Sequence, residues 1–328
     1  MIFKCKNCGG NAVYHPDKKA MWCPHCDSID SQERLDSESM ENCTNCGAPL
    51  EQVGEFTSAL KCSHCGSYIV LKDRVEGEMR PHLILPFEIS KEKAIEILKK
   101  EFGNRILTPD SFLTHATLDH FEGSYVPFWL YDYLSQIDYA GKATRVRVYR
   151  SGQYEVTETS HYQIVRKMDV HFDKVPIDAS KRMADDIMDL MEPYEYRALQ
   201  NFEEKYMSGF QGEIANFSEN QEEDRVKNKV KENAETLLAE TIAGYTTCVP
   251  LHKNIDMIKQ QAQVALMPVW VYRYHFRGKE YVYHVNGQTG KVIGKTPTDK
   301  KKALAYSTAV AFMAGMMWQS ICWILGVF

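Results

Sequence analysis

Four Cys-x-x-Cys turns decide the fold of the amino-terminal part of the chain: Cys5-Lys-Asn-Cys8, Cys23-Pro-His-Cys26, Cys43-Thr-Asn-Cys46 and Cys62-Ser-His-Cys65. The third and fourth turns repeat the first and second at an offset of 38 to 39 residues. Each turn can offer two thiolates to one metal ion, and two turns complete a tetrahedron. The pattern predicts two zinc ribbons, over residues 1–29 and 41–71. The predicted ligands are Cys5, Cys8, Cys23 and Cys26 for the first zinc ion, and Cys43, Cys46, Cys62 and Cys65 for the second.

This ligand set limits the chemistry of the two sites. Four thiolates leave no open coordination position, so we expect structural zinc rather than hydrolytic catalysis. Iron is the alternative metal, because it also accepts tetrahedral all-sulfur sites. His25 and His64 lie inside the turns, and we expect them to be exposed or outside the ligand set. Three glycines that directly follow a second cysteine predict tight turns with positive φ: Gly9, Gly47 and Gly66.

The charge of the ribbons argues against nucleic acid as a partner. Residues 1–70 contain six basic and nine acidic side chains, and the whole chain has a net charge of −5. Two zinc ions with four thiolates each would bring the ribbons to a formal charge of about −7, which repels phosphate. The composition therefore favours protein binding or a purely structural use of the ribbons.

The body of the chain, over 82–298, predicts a mixed α+β unit. Residues 27–42 are rich in serine and acidic side chains and predict a solvated linker between the ribbons. Ser90 and Gly103 bracket an amphipathic helix. Further helices are expected from Ser180 to about Met191, from Pro193 to about residue 208, and from about Val226 to residue 244.

Two aromatic β segments of the body are similar to each other. Tyr125-Val-Pro-Phe-Trp129 and Met267-Pro-Val-Trp270 have their prolines and tryptophans at the same separation, which suggests a weak duplication of about 82–175 and 220–298. We expect each proline at the start of its strand, where a missing N–H is tolerated. Trp129, Tyr131 and Tyr133 share one face and predict sheet core. The pattern leaves open whether the two segments join one sheet or two.

The last segment, 303–328, contains no charged residue and follows Lys300-Lys301-Lys302. A helix of that length would extend about 39 Å, enough to cross the ~30 Å hydrocarbon core of a bilayer. It predicts one C-terminal transmembrane helix, with the bulk of the chain on the cytoplasmic side of the cell membrane. The alternative is a buried core helix. A stripe of small residues would allow pairing of such helices and so an oligomer: Ser307, Ala311 and Gly315.

No catalytic motif emerges from the sequence. The patterns HExxH, GxSxG and GxGxxG are absent. Apart from the cysteines, His115, Asp119 and His120 lie close together in the sequence and could form a metal-binding or proton-transfer cluster if the segment is helical. Cys248 is isolated and is interpreted as core. We therefore expect that the protein is not an enzyme.

Several segments together resemble a known family: the paired cysteines over 5–65, Tyr125–Trp129, the stretch from Val175 through Tyr194, Met207–Phe210 and Asn286–Lys291. They are similar to the Firmicutes zinc-ribbon proteins labelled TFIIB-type zinc ribbon-containing, or mislabelled primosomal helicase. Members with a C-terminal span are similar to a membrane protein found beside phage-shock and SPFH genes. The resemblance implies an adaptor in envelope stress or membrane organisation, with SPFH-type proteins among its partners, and it supplies no catalytic residues.

The sequence therefore predicts an α+β protein with two tandem four-cysteine zinc ribbons, a mixed α+β body and one C-terminal transmembrane helix. The expected function is a membrane-anchored adaptor or scaffold that binds membrane or membrane-associated proteins. One alternative is a membrane-tethered regulator that binds nucleic acid. The other is an enzyme of unknown reaction in the α+β body.

Overall fold

The computed structural model describes residues 1–36, 41–50, 53–76, 79–103, 105–114, 118, 121–183 and 185–324. The candidate cluster of His115, Asp119 and His120 lies outside these residues.

The amino-terminal part is built from short antiparallel strands. They are β1 (Ile2–Cys5), β2 (Val13–His15), β3 (Ala20–Trp22), β4 (Gln32–Leu35), β5 (Thr57–Lys61) and β6 (Tyr68–Val70). β1 pairs with β4, β2 with β3, and β5 with β6. The interpretation of 27–42 as a solvated linker is wrong for β4, because its backbone groups are hydrogen-bonded to the strand that carries the first cysteine.

The remaining elements are helices and strands of widely differing length. In chain order they are α1 (Lys72–Val75), β7 (Leu83–Ile84), α2 (Lys91–Phe102), β8 (Phe121–Ser151), β9 (Tyr154–Asp178), α3 (Asp185–Met191), a 3-10 turn (Tyr196–Ala198), β10 (Gln200–Asn201), a second 3-10 turn (Glu204–Met207), β11 (Gln211–Glu213), a third 3-10 turn (Glu219–Gln221), α4 (Glu223–Thr241), β12 (Thr247–Phe276), β13 (Lys279–Asn286), β14 (Val292–Gly294) and α5 (Lys300–Ile324).

In the described part of the chain, ten strands form one mixed sheet in the order β10-β7-β12-β8-β11-β5-β6, with β9 beside β8, β13 beside β12 and β14 beside β13. β8 and β12 pair antiparallel along most of their length. The two aromatic β segments therefore belong to one sheet, and the predicted α+β class is confirmed. The second ribbon belongs to this sheet as well, since its strand β5 pairs with β11.

Both prolines lie inside their strands, so the prediction that each starts a strand is wrong. β8 and β12 pair with each other along one edge, and each has two successive partners along the other edge. Pro127 lies where the partner of β8 changes from β11 to β9. Pro268 lies where the partner of β12 changes from β7 to β13. Their carbonyls point to that edge, accepting the Ala179 and Gly287 amides at 2.9 Å. In a β-strand, the N–H and the C=O of one residue point to the same edge. The N–H that each proline lacks would therefore point to the place where one neighbouring strand ends and the next begins.

Helices cover both faces of the sheet. α4 packs over the long strands β8 and β9, where Val226 and Val230 contact the buried stripe of Trp129, Tyr131 and Tyr133. The prediction of this stripe as sheet core is confirmed. α3 covers a second cluster around Met188 and Met191. α2 packs against a third cluster that also contains side chains of the first ribbon.

The predicted helices have mixed outcomes. The helices predicted after Ser90 and from about Val226 are confirmed as α2 and α4. α3 forms only the later part of the helix expected after Ser180. The helix predicted from Pro193 is wrong, because that segment forms β10 and two single 3-10 turns. Tertiary contacts anchor its apolar residues separately: the Phe202 amide donates to His82 O at 3.0 Å, and the ring of Tyr206 packs edge-on to Tyr14.

A helix forms at the predicted carboxyl-terminal position, as α5. Within the residues that the structure describes, no helix is both long and apolar enough to cross a membrane. The predicted transmembrane helix over 303–328 is therefore not found. Polar side chains make α5 less apolar, among them those of Ser307, Gln319 and Ser320.

Candidate metal centres

The four Cys-x-x-Cys turns have the same backbone conformation. In the first turn, the Gly9 amide donates to Cys5 O, and the Cys5 amide donates to Gly10 O, both at 2.8 Å; the other three turns repeat these two bonds. The residue after the second cysteine has φ near +70° at Gly9, Gly47 and Gly66, as the sequence predicts. Asp27 occupies the equivalent position in the second turn with φ 59°.

The structure brings the eight predicted ligands together as two groups of four, one in each ribbon. All sulfurs of a group lie within 4.8 Å of one another. In the first group, Cys5 Sγ lies 3.6 Å from Cys26 Sγ, and Cys8 Sγ lies 3.5 Å from Cys23 Sγ. The corresponding separations in the second group are 3.6 and 3.9 Å.

These separations fit a tetrahedral metal ion. Four sulfurs at about 2.3 Å from a central zinc lie about 3.8 Å apart, which is close to the separations in both groups. Each group can therefore hold one metal ion. The two histidines inside the turns, His25 and His64, are exposed and belong to neither group.

A hydroxyl donor faces one sulfur of the second group. Ser67 Oγ lies 3.2 Å from Cys65 Sγ and accepts hydrogen bonds from Asn45 Nδ2 at 2.8 Å and Asn11 Nδ2 at 2.7 Å. Because both amides donate to this oxygen, the single hydroxyl hydrogen is left for the sulfur. Burial raises the pKa of Cys65, but the hydrogen bonds from Ser67, Asn45 and Cys46 together outweigh it and lower the pKa to about 6.

The first group has an equivalent arrangement. Ser28 Oγ lies 3.0 Å from Cys26 Sγ and accepts a hydrogen bond from Asn7 Nδ2 at 2.8 Å. Hydrogen bonds from the side chain and backbone of Ser28 lower the pKa of Cys26 to about 6. In each ribbon, one sulfur is therefore stabilised as the thiolate that a metal ion requires.

Sequence reasoning missed these four supporting residues. The signal was present, because Asn7 and Asn45 precede a cysteine in equivalent turns, while Ser28 and Ser67 each stand two residues after one. Residues beyond the ligands that orient and polarise them are part of a metal site.

Polar contacts join the two ribbons beside the second group. Lys4 Nζ donates to Asn11 Oδ1 at 2.8 Å in its own ribbon and to Asn45 Oδ1 at 2.6 Å in the other. Asn11 of the first ribbon in turn donates to Ser67 of the second. The first ribbon therefore contributes directly to the surroundings of the second metal centre.

The number of metal ions is the first prediction from this geometry. The reduced full chain should bind two tetrahedral metal ions, and a Cys43→Ser/Cys46→Ser variant should bind one, because two ligands of a single group are lost. Metal content per chain, measured by inductively coupled plasma mass spectrometry, tests this. Cys248→Ser is the matched control and should retain two ions, since Cys248 lies outside both groups. Fewer than two ions in the unmodified chain would contradict the assignment.

The serine donors give a second prediction. Ser67→Ala should weaken metal binding at the second group by roughly 10- to 100-fold, and Ser28→Ala should do the same at the first, as is typical when a donor behind a ligand is removed. Competition against chelators of graded affinity measures the change. Ser63→Ala is the control, because Ser63 is exposed and lies in the same turn as Cys62 and Cys65. Unchanged affinity in Ser67→Ala would show that the hydroxyl does not act on the sulfur.

Comparison with known proteins adds one relative. No protein-family model matches the chain, and no solved structure matches it. The chain is 33% identical over 319 residues to a Bacillus subtilis (strain 168) protein described as "Uncharacterized protein YdjG", and the alignment covers 94% of each chain. A match of this length is not confined to the ribbons. The chain belongs to the family of YdjG.

Proposed function

We propose that the two cysteine groups hold structural zinc ions and that the protein is a membrane-associated adaptor. In this proposal it binds other proteins at the cytoplasmic face of the cell membrane and acts in envelope stress or membrane organisation. The resemblance to TFIIB-type zinc-ribbon proteins supports this assignment and makes SPFH-type membrane proteins candidate partners.

The observation that carries the proposal is the uncovered apolar surface of α5. Large apolar side chains are exposed around the helix, with 71% of Phe312, 68% of Trp318 and 80% of Trp323 accessible. An exposed apolar surface of this extent is typical of a protein or membrane contact. Basic residues begin the helix at Lys300–Lys302, where they can approach anionic lipid head groups.

The metal centres support a binding role over a hydrolytic one. Four sulfurs surround each site, so a tetrahedral ion would have no open position for water or substrate. The turns that carry the sulfurs are at the surface, with Cys8, Cys26 and Cys46 exposed. They present hydrogen-bonded loops, and residues 1–70 contain more acidic than basic side chains, which suits a protein partner better than a nucleic acid.

Site-specific photocrosslinking in intact cells tests the proposal. A photoreactive residue at exposed His64 should form adducts with other proteins, and these adducts should be recovered in the membrane fraction. The same residue at Tyr154, exposed at the far tip of the β8–β9 hairpin, is the positional control. A Phe312→Glu/Trp318→Glu variant should move both the protein and its adducts out of the membrane fraction.

Three outcomes would contradict parts of the proposal. Nucleic acid crosslinked at His64 would favour the nucleic-acid regulator. Absence of protein adducts at His64 would contradict the proposal that the ribbons bind other proteins. If the protein without substitutions in α5 were found in the soluble fraction after gentle lysis, the proposed membrane association would be contradicted.

A further inference from the structure

The strands β8, β9 and β12 continue beyond their contacts with β7 and β11 as a long three-stranded arm. The arm contains residues 133–151 of β8, 154–172 of β9 and 247–261 of β12, with β8 in the middle. Helix α4 covers one face of the arm. Each outer strand therefore has one edge that faces away from β8, and the two edges differ in how they are protected.

The outer edge of β12 is interrupted several times. Pro250 has no N–H to offer, and the pairing with β8 skips Leu251 and Gln260, which form two bulges. Prolines and bulges are features by which natural proteins keep an edge strand from pairing with another chain. This edge of the arm is therefore a poor template for a further strand.

The outer edge of β9 has no such interruption. From Tyr154 to Phe172 every residue has a direct partner in β8, and the segment contains no proline. The register shift between the two strands comes later, between Phe172 and Val175. The segment is also rich in β-branched and aromatic residues, which favour extended strands.

The backbone groups of every second β9 residue point to this outer edge. The Thr144 carbonyl of β8 accepts the amide of Thr246 at 2.7 Å, so even-numbered residues of β8 bond towards β12 and odd-numbered ones towards β9. Odd-numbered β8 residues lie opposite even-numbered β9 residues, as Ala143 lies opposite Tyr162. The odd-numbered β9 residues from 155 to 171 therefore direct their N–H and C=O groups outward, and all of them are exposed.

This edge is open along its length. In the part of the chain that the structure describes, no strand other than β8 pairs with β9. Among the same residues, one side-chain hydrogen bond reaches the edge, from Arg166 Nη1 to the Val165 carbonyl at 2.9 Å. A long edge with free backbone groups is the kind of surface to which another strand adds.

Charged residues divide this part of β9 into an acidic and a basic half. Glu155 and Glu158 lie in the first half, Arg166 and Lys167 lie in the second, and residues 159–165 contain no Asp, Glu, Lys or Arg. A parallel copy of the strand in the same register would place like charges opposite each other. An antiparallel copy places the acidic half against the basic half, so the charges of this edge complement those of a second β9.

We propose that β9 pairs antiparallel with β9 of a second copy of this chain, so that the two arms form one continuous sheet. Glu155 lies opposite Lys167 of the second copy, and His161 lies on the two-fold axis. The symmetry uses the free edge of both copies, so the assembly closes as a dimer. Neither α5 nor the cysteine groups lie on this edge, so the dimer is separate from the proposed adaptor function.

Exchange of the two charges tests this dimer. Sedimentation velocity is measured on the metal-loaded full chain in mild detergent, which covers the apolar surface of α5, and the unmodified chain should show a monomer–dimer equilibrium. Glu155→Lys should weaken dimerisation by roughly tenfold, because two pairs of opposite charge become pairs of like charge, and Lys167→Glu should do the same. An equimolar mixture of the two variants should regain the original affinity, because each copy then supplies the charge that the other lacks. Glu232→Lys, exposed on α4, is the control and should dimerise normally.

A proline substitution tests whether the backbone carries the contact. Gln163 is exposed, and its N–H points to the free edge, so Gln163→Pro removes no hydrogen bond between β8 and β9. This variant should stay monomeric at concentrations where the Gln163→Ala control dimerises. Circular dichroism with the sheet signal of the unmodified chain checks that the proline variant is folded.

The proposal fails in three cases. A chain that is monomeric at every concentration would leave an extended segment of another protein as the occupant of the edge. Dimers that persist unweakened in both charge variants, or in Gln163→Pro, would place the contact elsewhere, as on α5. A mixture of the charge variants that does not regain affinity would contradict the antiparallel register.

Discussion

Strand β11 is only three residues long, and it is paired on both edges. It runs parallel to β8 through Gln211 and Gly212, and it pairs antiparallel with β5 through Gly212 and Glu213. A Cβ on Gly212 would lie 2.5 Å from Met207 Cε and 2.8 Å from Ser58 Oγ, so any larger residue there would have to displace these two side chains. The position of the second metal centre relative to the large sheet depends on this junction, because the turn with Cys62 and Cys65 connects β5 to β6.

The first ribbon is attached by packing and by a few backbone bonds. The Tyr14 amide donates to Ser208 O at 2.8 Å, and Ser208 Oγ donates to Ala12 O at 2.8 Å. The amino terminus of Met1 donates to Val70 O at 2.6 Å, which joins the first ribbon to β6. Met1 and Tyr14 are buried in the same cluster as residues of α2 and the long strands. The ribbons are therefore part of the folded platform.

The sequence predicts the parts of the structure that depend on local spacing. The grouping of the eight cysteines, the three turn glycines, α2 and the aromatic stripe beginning at Trp129 follow from periodicity or short motifs. The parts it does not predict depend on contacts between distant segments. β5 and β11 are about 150 residues apart in the chain, and no local pattern indicates that they pair. The helix expected after Pro193 fails for the same reason, since Phe202 and Tyr206 are at helical spacing but are held by separate distant partners.

Hydrogen exchange of the full chain, compared before and after metal removal by a chelator, tests most directly whether the metal centres and the sheet form one cooperative unit. The reporter is the amide of Ile214, directly after β11, which donates to Phe56 O at 2.9 Å. If metal binding holds β5 in place, this amide and those of β5 should lose protection when the metal leaves, while the buried β8 residues Ile137 and Tyr139 stay protected. Loss of protection confined to the Cys-x-x-Cys turns, with the Ile214 amide unchanged, would contradict the account.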